Sequence, residues 1–128
     1  MKKLFSFLLL SFVTSLMLAQ NRNTEKVFET FRSHYNAGKF EEIFKQFSPE
    51  MQQAMPLETA KQFFSGLKTQ MGAIENSEFK IYDQNYAVYK VKFEKMILAV
   101  NISVDAKDKI SGLLVRAYQE PKASNAVN

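Results

Sequence analysis

The sequence contains no cysteine, a single histidine and only four glycines among its 128 residues. Without cysteine the chain has neither a disulfide framework nor thiol chemistry. His34 has no second imidazole or thiolate with which to share a metal ion. Gly72 and Gly112 stand alone, which excludes a glycine-rich loop for binding phosphate. We therefore expect neither a bound metal nor a cofactor.

Residues that could support catalysis are also sparse. Ser65 and Ser111 are each followed by glycine, but neither has the glycine two positions earlier that a nucleophile elbow requires. His34 falls beside Tyr35 on the apolar face of a predicted helix, where a structural role is favoured over that of a general base. We expect no catalytic residues and predict that the protein is not an enzyme.

The charge pattern gives no sign of nucleic-acid binding. The formal net charge is +4, and the basic residues are interleaved with acidic ones without a cluster that includes aromatic stacking partners. Two of the lysines, Lys2 and Lys3, belong to an N-terminal targeting segment. Without them 15 basic residues face 13 acidic ones, so the charge falls to +2.

The first 19 residues have the features of a signal peptide. Lys2 and Lys3 form a basic region, an apolar run extends from Leu4 to Leu18, and Ala19 supplies a small residue for cleavage. A retained membrane anchor is the alternative, but the run is shorter than the ~20 residues of a spanning helix. We predict a periplasmic or secreted protein with no membrane attachment after cleavage, a single domain over residues 20–118 and a disordered tail over 119–128.

Apolar residues at helical spacing predict a helical N-terminal half. The predicted helices are Asn23 to Gly38, Phe40 to Phe47, a short helix from Pro49 to Met55, and Leu57 to Met71. Asn23 or Thr24 would cap the first helix and Ser48 the third, because the side chain of each can accept a hydrogen bond from a backbone amide. Gly72 would end the fourth.

Beyond Gly72 the spacing becomes alternating, which predicts antiparallel strands. They lie around Glu78 to Tyr82, in a hairpin from Tyr86 to Val104 that turns at Glu94 and Lys95, and from Ile110 to Tyr118. In this register one face pairs apolar residues only: Phe93 with Met96, Val91 with Leu98, Tyr89 with Val100, and Ala87 with Ile102. The other face is mixed and largely polar. The prediction is an α+β fold in which N-terminal helices pack on one face of a curved four-stranded antiparallel sheet.

The register of the last strand has two alternatives. A three-residue loop at 106–108 would place Leu114 and Arg116 on the apolar face, whereas a four-residue loop would place Leu113, Val115 and Ala117 there. The second is favoured because it buries no unpaired charge. In the first, Arg116 and Tyr118 would be polar groups at the mouth of an aromatic cavity and would suit an anionic ligand.

Several segments resemble a bacterial family of exported domains of unknown function. They are Phe31, Tyr35 to Phe40, Ile43, Phe47 to Met51, the helix ending at Gly72, and the hairpin followed by Asp105 and Lys109 to Gly112. That family is similar to the nuclear transport factor 2-like (cystatin-like cone) superfamily, and the resemblance implies helices packed in the concavity of a curved sheet. Its members often precede a secreted serine hydrolase. Here no hydrolase sequence follows Tyr118, and Ala117 and Tyr118 replace the expected proline and aromatic pair.

The 12 phenylalanines and five tyrosines are the strongest functional signal. They either fill the core, as aromatic residues at this spacing ordinarily do, or line a pocket. The pocket candidates are Phe31, Tyr35, Phe44, Phe63, Tyr89 and Phe93, with Arg116 and Tyr118 at the mouth. We predict a non-catalytic module that binds a small apolar ligand or a protein partner. The alternatives are a homodimer formed through the outer sheet face around Ile97 and Ala99, or a small isomerase or dehydratase with an acid reaching inward from a helix.

Overall fold

A computed structural model of the protein describes residues 23–120. The predicted signal peptide and the predicted tail beyond residue 120 lie outside these residues. Four helices come first: α1 over residues 23–37, α2 at Phe40–Gln46, α3 at Pro49–Ala54 and α4 at Leu57–Met71. None of the helices within residues 23–120 has the length and apolar character to cross a membrane.

The helix boundaries follow local chemistry. The Ser48 side chain accepts a 3.2 Å hydrogen bond from the Met51 amide, and Pro49 occupies the first turn of α3, as predicted. Gly72 ends α4 with φ of 84° and ψ of −167°, a conformation that is nearly restricted to glycine. The predicted cap of α1 is wrong, because Asn23 and Thr24 already lie within the helix.

Four strands follow the helices and form one antiparallel sheet. They are β1 at Ile74–Asp83, β2 at Tyr86–Phe93, β3 at Ile97–Val104 and β4 at Ile110–Ala117, in the spatial order β1-β2-β3-β4. The α+β prediction is therefore confirmed. β1 is longer than predicted and has two register irregularities, one of them between Phe79 and Ile81.

The central hairpin adopts the predicted register. Ala87 pairs with Ile102, Tyr89 with Val100 and Val91 with Leu98, and the Phe93 amide bonds to the Met96 carbonyl at 2.9 Å. The turn is tied to the end of α4, since the Glu94 amide donates to the Ala73 carbonyl and the Lys95 amide to that of Met71, both at 3.0 Å. These bonds fix the helical layer against one end of the sheet.

The last strand adopts the favoured register. Leu113, Val115 and Ala117 pair with Ile102, Val100 and Leu98 on the helix-covered face. Arg116 pairs with Ala99, so its exposed side chain lies on the opposite, outer face. The guanidinium is thereby kept out of the apolar interior, where an unpaired charge would be costly.

The core lies between the helices and the inner sheet face and consists largely of aromatic rings. Phe28 of α1 stacks on Tyr89 of β2 with centroids 3.9 Å apart, and Tyr35 packs edge-on against Phe93 at 5.8 Å. Phe31 meets Phe64 of α4 at 5.9 Å. At these separations the rings contact one another directly, so they fill the interior.

Candidate functional site

The predicted aromatic pocket is occupied by the side chains that were expected to line it. Phe31, Tyr35, Tyr89 and Phe93 are buried and in ring contact with other core residues. Phe44 is half-buried against Phe47 at 5.9 Å. Five of the six aromatic candidates therefore pack within or against the core.

The sixth aromatic candidate and the two polar ones lie elsewhere on the surface. Phe63 is an exposed residue of α4 beside Phe64. The Tyr118 hydroxyl donates to Glu120 at 3.0 Å, and Lys90 lies over the Tyr118 ring, 5.2 Å from its centroid. Because Lys90 and Arg116 lie on the outer face, the structure does not bring Arg116 or Tyr118 to the aromatic interior.

An open groove of about 230 Å³ lies between α1 and β1, at the edge of the inner sheet face. It is lined by Glu25, Glu29, Ser77, Phe79, Tyr82 and Tyr89. Only Tyr89 was among the predicted pocket residues. The groove is the candidate functional site, and the other five lining residues were missed from the sequence.

Hydrogen bonds between α1 and β1 determine where the groove opens. The Asn36 side chain bonds to both the amide and the carbonyl of Ile74, at 2.8 and 3.0 Å. One turn earlier, Arg32 donates to the Glu75 carbonyl at 3.0 Å and to the Ser77 hydroxyl at 3.3 Å. These bonds hold the C-terminal half of α1 against β1. The groove lies next to the N-terminal half, beyond Arg32.

The irregularity in β1 supplies the aromatic wall of the groove. Residues three apart in a regular strand point to opposite faces. Here Phe79 pairs with Tyr89 and Tyr82 with Ala87, and the extra residue, Lys80, falls between them. Directly paired residues share a face, so Phe79 and Tyr82 both lie on the inner face. A β-bulge at Lys80 thus places two aromatic rings together.

Three rings form a corner at this wall. The Phe79 centroid lies 5.0 Å from that of Tyr82 and 5.7 Å from that of Tyr89, with interplanar angles of 55° and 72°. Phe79 is 46% exposed and Tyr82 40% exposed, although both are on the helix side of the sheet. The corner therefore presents ring surface to solvent.

Tyr89 forms the floor of the groove and is only 5% exposed. Its hydroxyl makes no hydrogen bond to any other residue of the range 23–120. Burial raises the pKa of Tyr89, and electrostatic interactions with Tyr82, Glu25 and Glu29 raise it further. The hydroxyl therefore stays protonated at neutral pH and is available as a donor.

Glu25 and Glu29 form the opposite wall, one helical turn apart on α1. Both side chains are exposed, and neither takes part in an ion pair with another residue of the described chain. Lys26 and Arg32 lie three residues before and after Glu29 on α1. Lys26 makes no ion pair with another described residue, and Arg32 is engaged with β1. The groove therefore combines an aromatic corner, a hydroxyl donor at its floor and two free carboxylates.

No group of three or more histidine, aspartate or glutamate side chains within residues 23–120 could hold a metal ion. His34 is half-buried on α1 and does not line the groove. What the groove offers is hydrogen bonding, negative charge and aromatic surface.

A family model described as "Protein of unknown function (DUF3887)" matches residues 29–113, more than half of the chain. The chain belongs to the DUF3887 family. The DUF3887 match includes all of β1, β2 and β3 and five of the six groove residues, since only Glu25 precedes it. Searches of curated proteins and of solved structures give no significant match.

Proposed function

We propose that this protein is an exported, non-catalytic domain that binds a small ligand in the groove between α1 and β1. The observation that carries the proposal is the Tyr89 hydroxyl, which lacks a protein partner at the floor of a cavity with exposed aromatic walls. Tyr89 lines the groove, and a ligand acceptor there would supply its hydroxyl with the hydrogen bond that the protein does not.

Binding is favoured over acid–base catalysis by the position of the carboxylates. Catalytic carboxylates are usually desolvated within a cleft, whereas Glu25 and Glu29 are both exposed at the rim. They suit electrostatic attraction of a ligand. We therefore propose a binding role rather than an isomerase or dehydratase reaction.

Export and ancestry are further parts of the proposal. The basic and apolar character of residues 1–19 supports delivery to the periplasm or the exterior. Helices followed by an antiparallel sheet support a distant relationship to the nuclear transport factor 2-like superfamily. The proposed role is that of a small exported receptor domain, alone or beside a separate secreted hydrolase.

The proposal is tested by a fragment screen on the protein purified from cells that express the full chain. We expect fragments to shift the NMR signals of Ser77, Phe79 and Tyr82, and Phe79→Ala to weaken their binding. Ile97→Ala, at an exposed position of the outer face, is the matched control and should leave binding unchanged. A screen in which no fragment shifts the groove signals would contradict the proposal.

A second candidate function is self-association through the outer sheet face. Ile81, Val88, Asn101 and Leu114 form a row across the four strands there, and Ile81 and Leu114 are exposed. Asn101 is only 2% exposed, and its Oδ1 atom has no hydrogen-bond partner among the described residues. A second copy packed on this face would cover the apolar row. Sedimentation that shows only monomer at high concentration would refute this candidate.

A further inference from the structure

The aromatic corner of the groove has the features of a site for a cation. Phe79 lies at large angles to both Tyr82 and Tyr89, and the exposed rings of Phe79 and Tyr82 present aromatic surface to a ligand group in the corner. The faces of aromatic rings carry negative electrostatic potential and attract organic cations within about 6 Å. Phe28, stacked behind Tyr89, holds the floor in place.

The opposite wall has the matching charge. Glu25 and Glu29 contribute two negative charges that no cation of the described chain neutralises within ion-pair distance. Arg32 bonds to the groove residue Ser77 and to the Glu75 carbonyl, so its side chain is held on β1 at the end of the groove. Lys80, on the bulge, is paired with Glu78 at 3.4 Å. The groove therefore favours a positively charged ligand over a neutral or anionic one.

The type of cation follows from where the hydrogen-bond acceptors are. A primary ammonium is strongly hydrated and needs acceptors close to its N–H groups. In this groove the carboxylates are at the rim, whereas the corner offers ring faces. A trimethylammonium group has no N–H donors and presents methyl groups to the rings, as in known aromatic cages.

Tyr89 adds a requirement for an oxygen atom on the ligand. Its hydroxyl is a donor without an acceptor among residues 23–120, close to the rings that would hold the cation. The groove volume, about 230 Å³, is below the ~300–1,000 Å³ of sites for drug-sized molecules. The site therefore suits a small molecule or the end of a larger one.

We propose that the groove binds a trimethylammonium group that carries a nearby oxygen acceptor, with the cation in the corner of Phe79, Tyr82 and Tyr89, facing Glu25 and Glu29. This inference rests on the proposed binding function and specifies its ligand class. Choline is the simplest molecule with this chemistry.

The test compares choline with 3,3-dimethylbutan-1-ol, which has the same shape and hydroxyl but no charge. Calorimetric titration of the purified protein should show choline binding on the order of tenfold more tightly than the alcohol. Ethanolamine, a primary ammonium, should bind more weakly than choline. Equal affinity for choline and the neutral alcohol would overturn the proposal.

Variants separate charge from shape. Glu25→Gln combined with Glu29→Gln should remove most of the preference for choline over the alcohol, and Tyr82→Leu should reduce choline affinity severalfold. Glu58→Gln, at an exposed glutamate of α4, is the matched control and should change neither. A choline preference that persists in the double glutamine variant would refute the role of the carboxylates.

Tyr89→Phe tests the oxygen requirement. The variant keeps the ring stack with Phe28, so it should weaken choline binding about threefold while leaving tetramethylammonium binding unchanged. Circular dichroism of each variant shows whether the fold is retained. An equal change for both ligands would overturn the requirement for an oxygen acceptor.

Two outcomes show whether the trimethylammonium group belongs to a lipid headgroup or to a soluble molecule. Cosedimentation with phosphatidylcholine vesicles but not with phosphatidylglycerol vesicles, lost in the double glutamine variant, would assign it to a lipid headgroup. Binding of free choline without cosedimentation would assign it to a soluble molecule. If no ammonium compound binds while other fragments shift the groove signals, the ligand class is wrong and the binding function stands. If no compound shifts the groove signals, both the ligand class and the proposed binding function are wrong.

Discussion

The Tyr35 hydroxyl of α1 donates a 2.8 Å hydrogen bond to the carbonyl oxygen of Gly72, the residue that ends α4. This bond joins the first helix to the loop from which the sheet begins. Tyr35 is fully buried, so the hydroxyl would lack a partner without it. The contact connects the two halves of the fold across 37 residues of sequence.

Tyr35→Phe should lower the free energy of unfolding by about 1 kcal/mol at neutral pH, because one buried hydrogen bond is lost and the Gly72 carbonyl is left with one fewer partner. Urea denaturation of both proteins measures the difference. Tyr82→Phe, at an exposed tyrosine, serves as the control and should change stability by less than about 0.5 kcal/mol. Equal losses in the two variants would contradict a specific contribution from the Tyr35 bond.

The same residue predicts a loss of stability at alkaline pH. Burial, together with the negative charge of Glu94, raises the pKa of Tyr35 from 10.0 to about 12. Between these values the unfolded chain releases the tyrosine proton and the folded chain keeps it, so stability falls as pH rises from about 10 to 12. The advantage of wild type over Tyr35→Phe should therefore shrink across this range. A constant difference would contradict the shift.

Gly72→Ala should destabilise the protein by roughly 2 kcal/mol or more. At this φ and ψ a Cβ atom is strained, and it would also lie 2.7 Å from the Cβ of Glu94. Gly66 is the matched control within α4, because a Cβ there meets nothing within 4 Å. Gly66→Ala should stabilise the helix by up to about 1 kcal/mol. Thermal unfolding of both variants should give opposite shifts in Tm.

Much of the fold could be predicted because its signals are local and repeated. The alternation in β2 and β3 fixes the hairpin register, since a shift of one residue would turn Lys90 and Lys92 toward the helices. Ser48 and Gly72 mark helix ends by their side-chain chemistry. The register of β4 followed from the cost of burying Arg116, an energetic argument that the structure bears out.

The candidate site could not be predicted because it depends on one irregular residue. Simple alternation from Phe79 to Tyr82 would put the two rings on opposite faces, and the bulge at Lys80 puts them on the same face. No residue type marks a bulge of this kind. Glu25 and Glu29 gave a weak signal, two carboxylates one turn apart on a helix, but the sequence does not show which strand they face.

Export predicts a mature protein that begins at Gln20. Mass spectrometry of the protein recovered from the periplasm or medium should show the loss of residues 1–19. Leu9→Arg, in the middle of the apolar run, should keep the precursor uncleaved inside the cell, because a charge interrupts the segment that the export machinery recognises. Lys61→Arg, on exposed α4 surface, is a control that should be exported normally. Intact precursor in the exported fraction would contradict this prediction.

Asn101→Val and Leu114→Lys together distinguish a monomer from an assembly on the outer face, because Asn101 is buried and Leu114 is exposed. In a monomer the substitution replaces a buried amide oxygen that has no partner among the described residues with methyl groups, so the free energy of unfolding should rise by about 1 kcal/mol. In a homodimer the same gain is expected, because Oδ1 is already buried within one copy and a second copy on the outer face would not contact it. Sedimentation and urea denaturation at two protein concentrations separate the two states, because only the dimer has a stability that depends on concentration. We expect Leu114→Lys, which adds a charge to the same row without touching the amide, to abolish association while leaving monomer stability within about 0.5 kcal/mol.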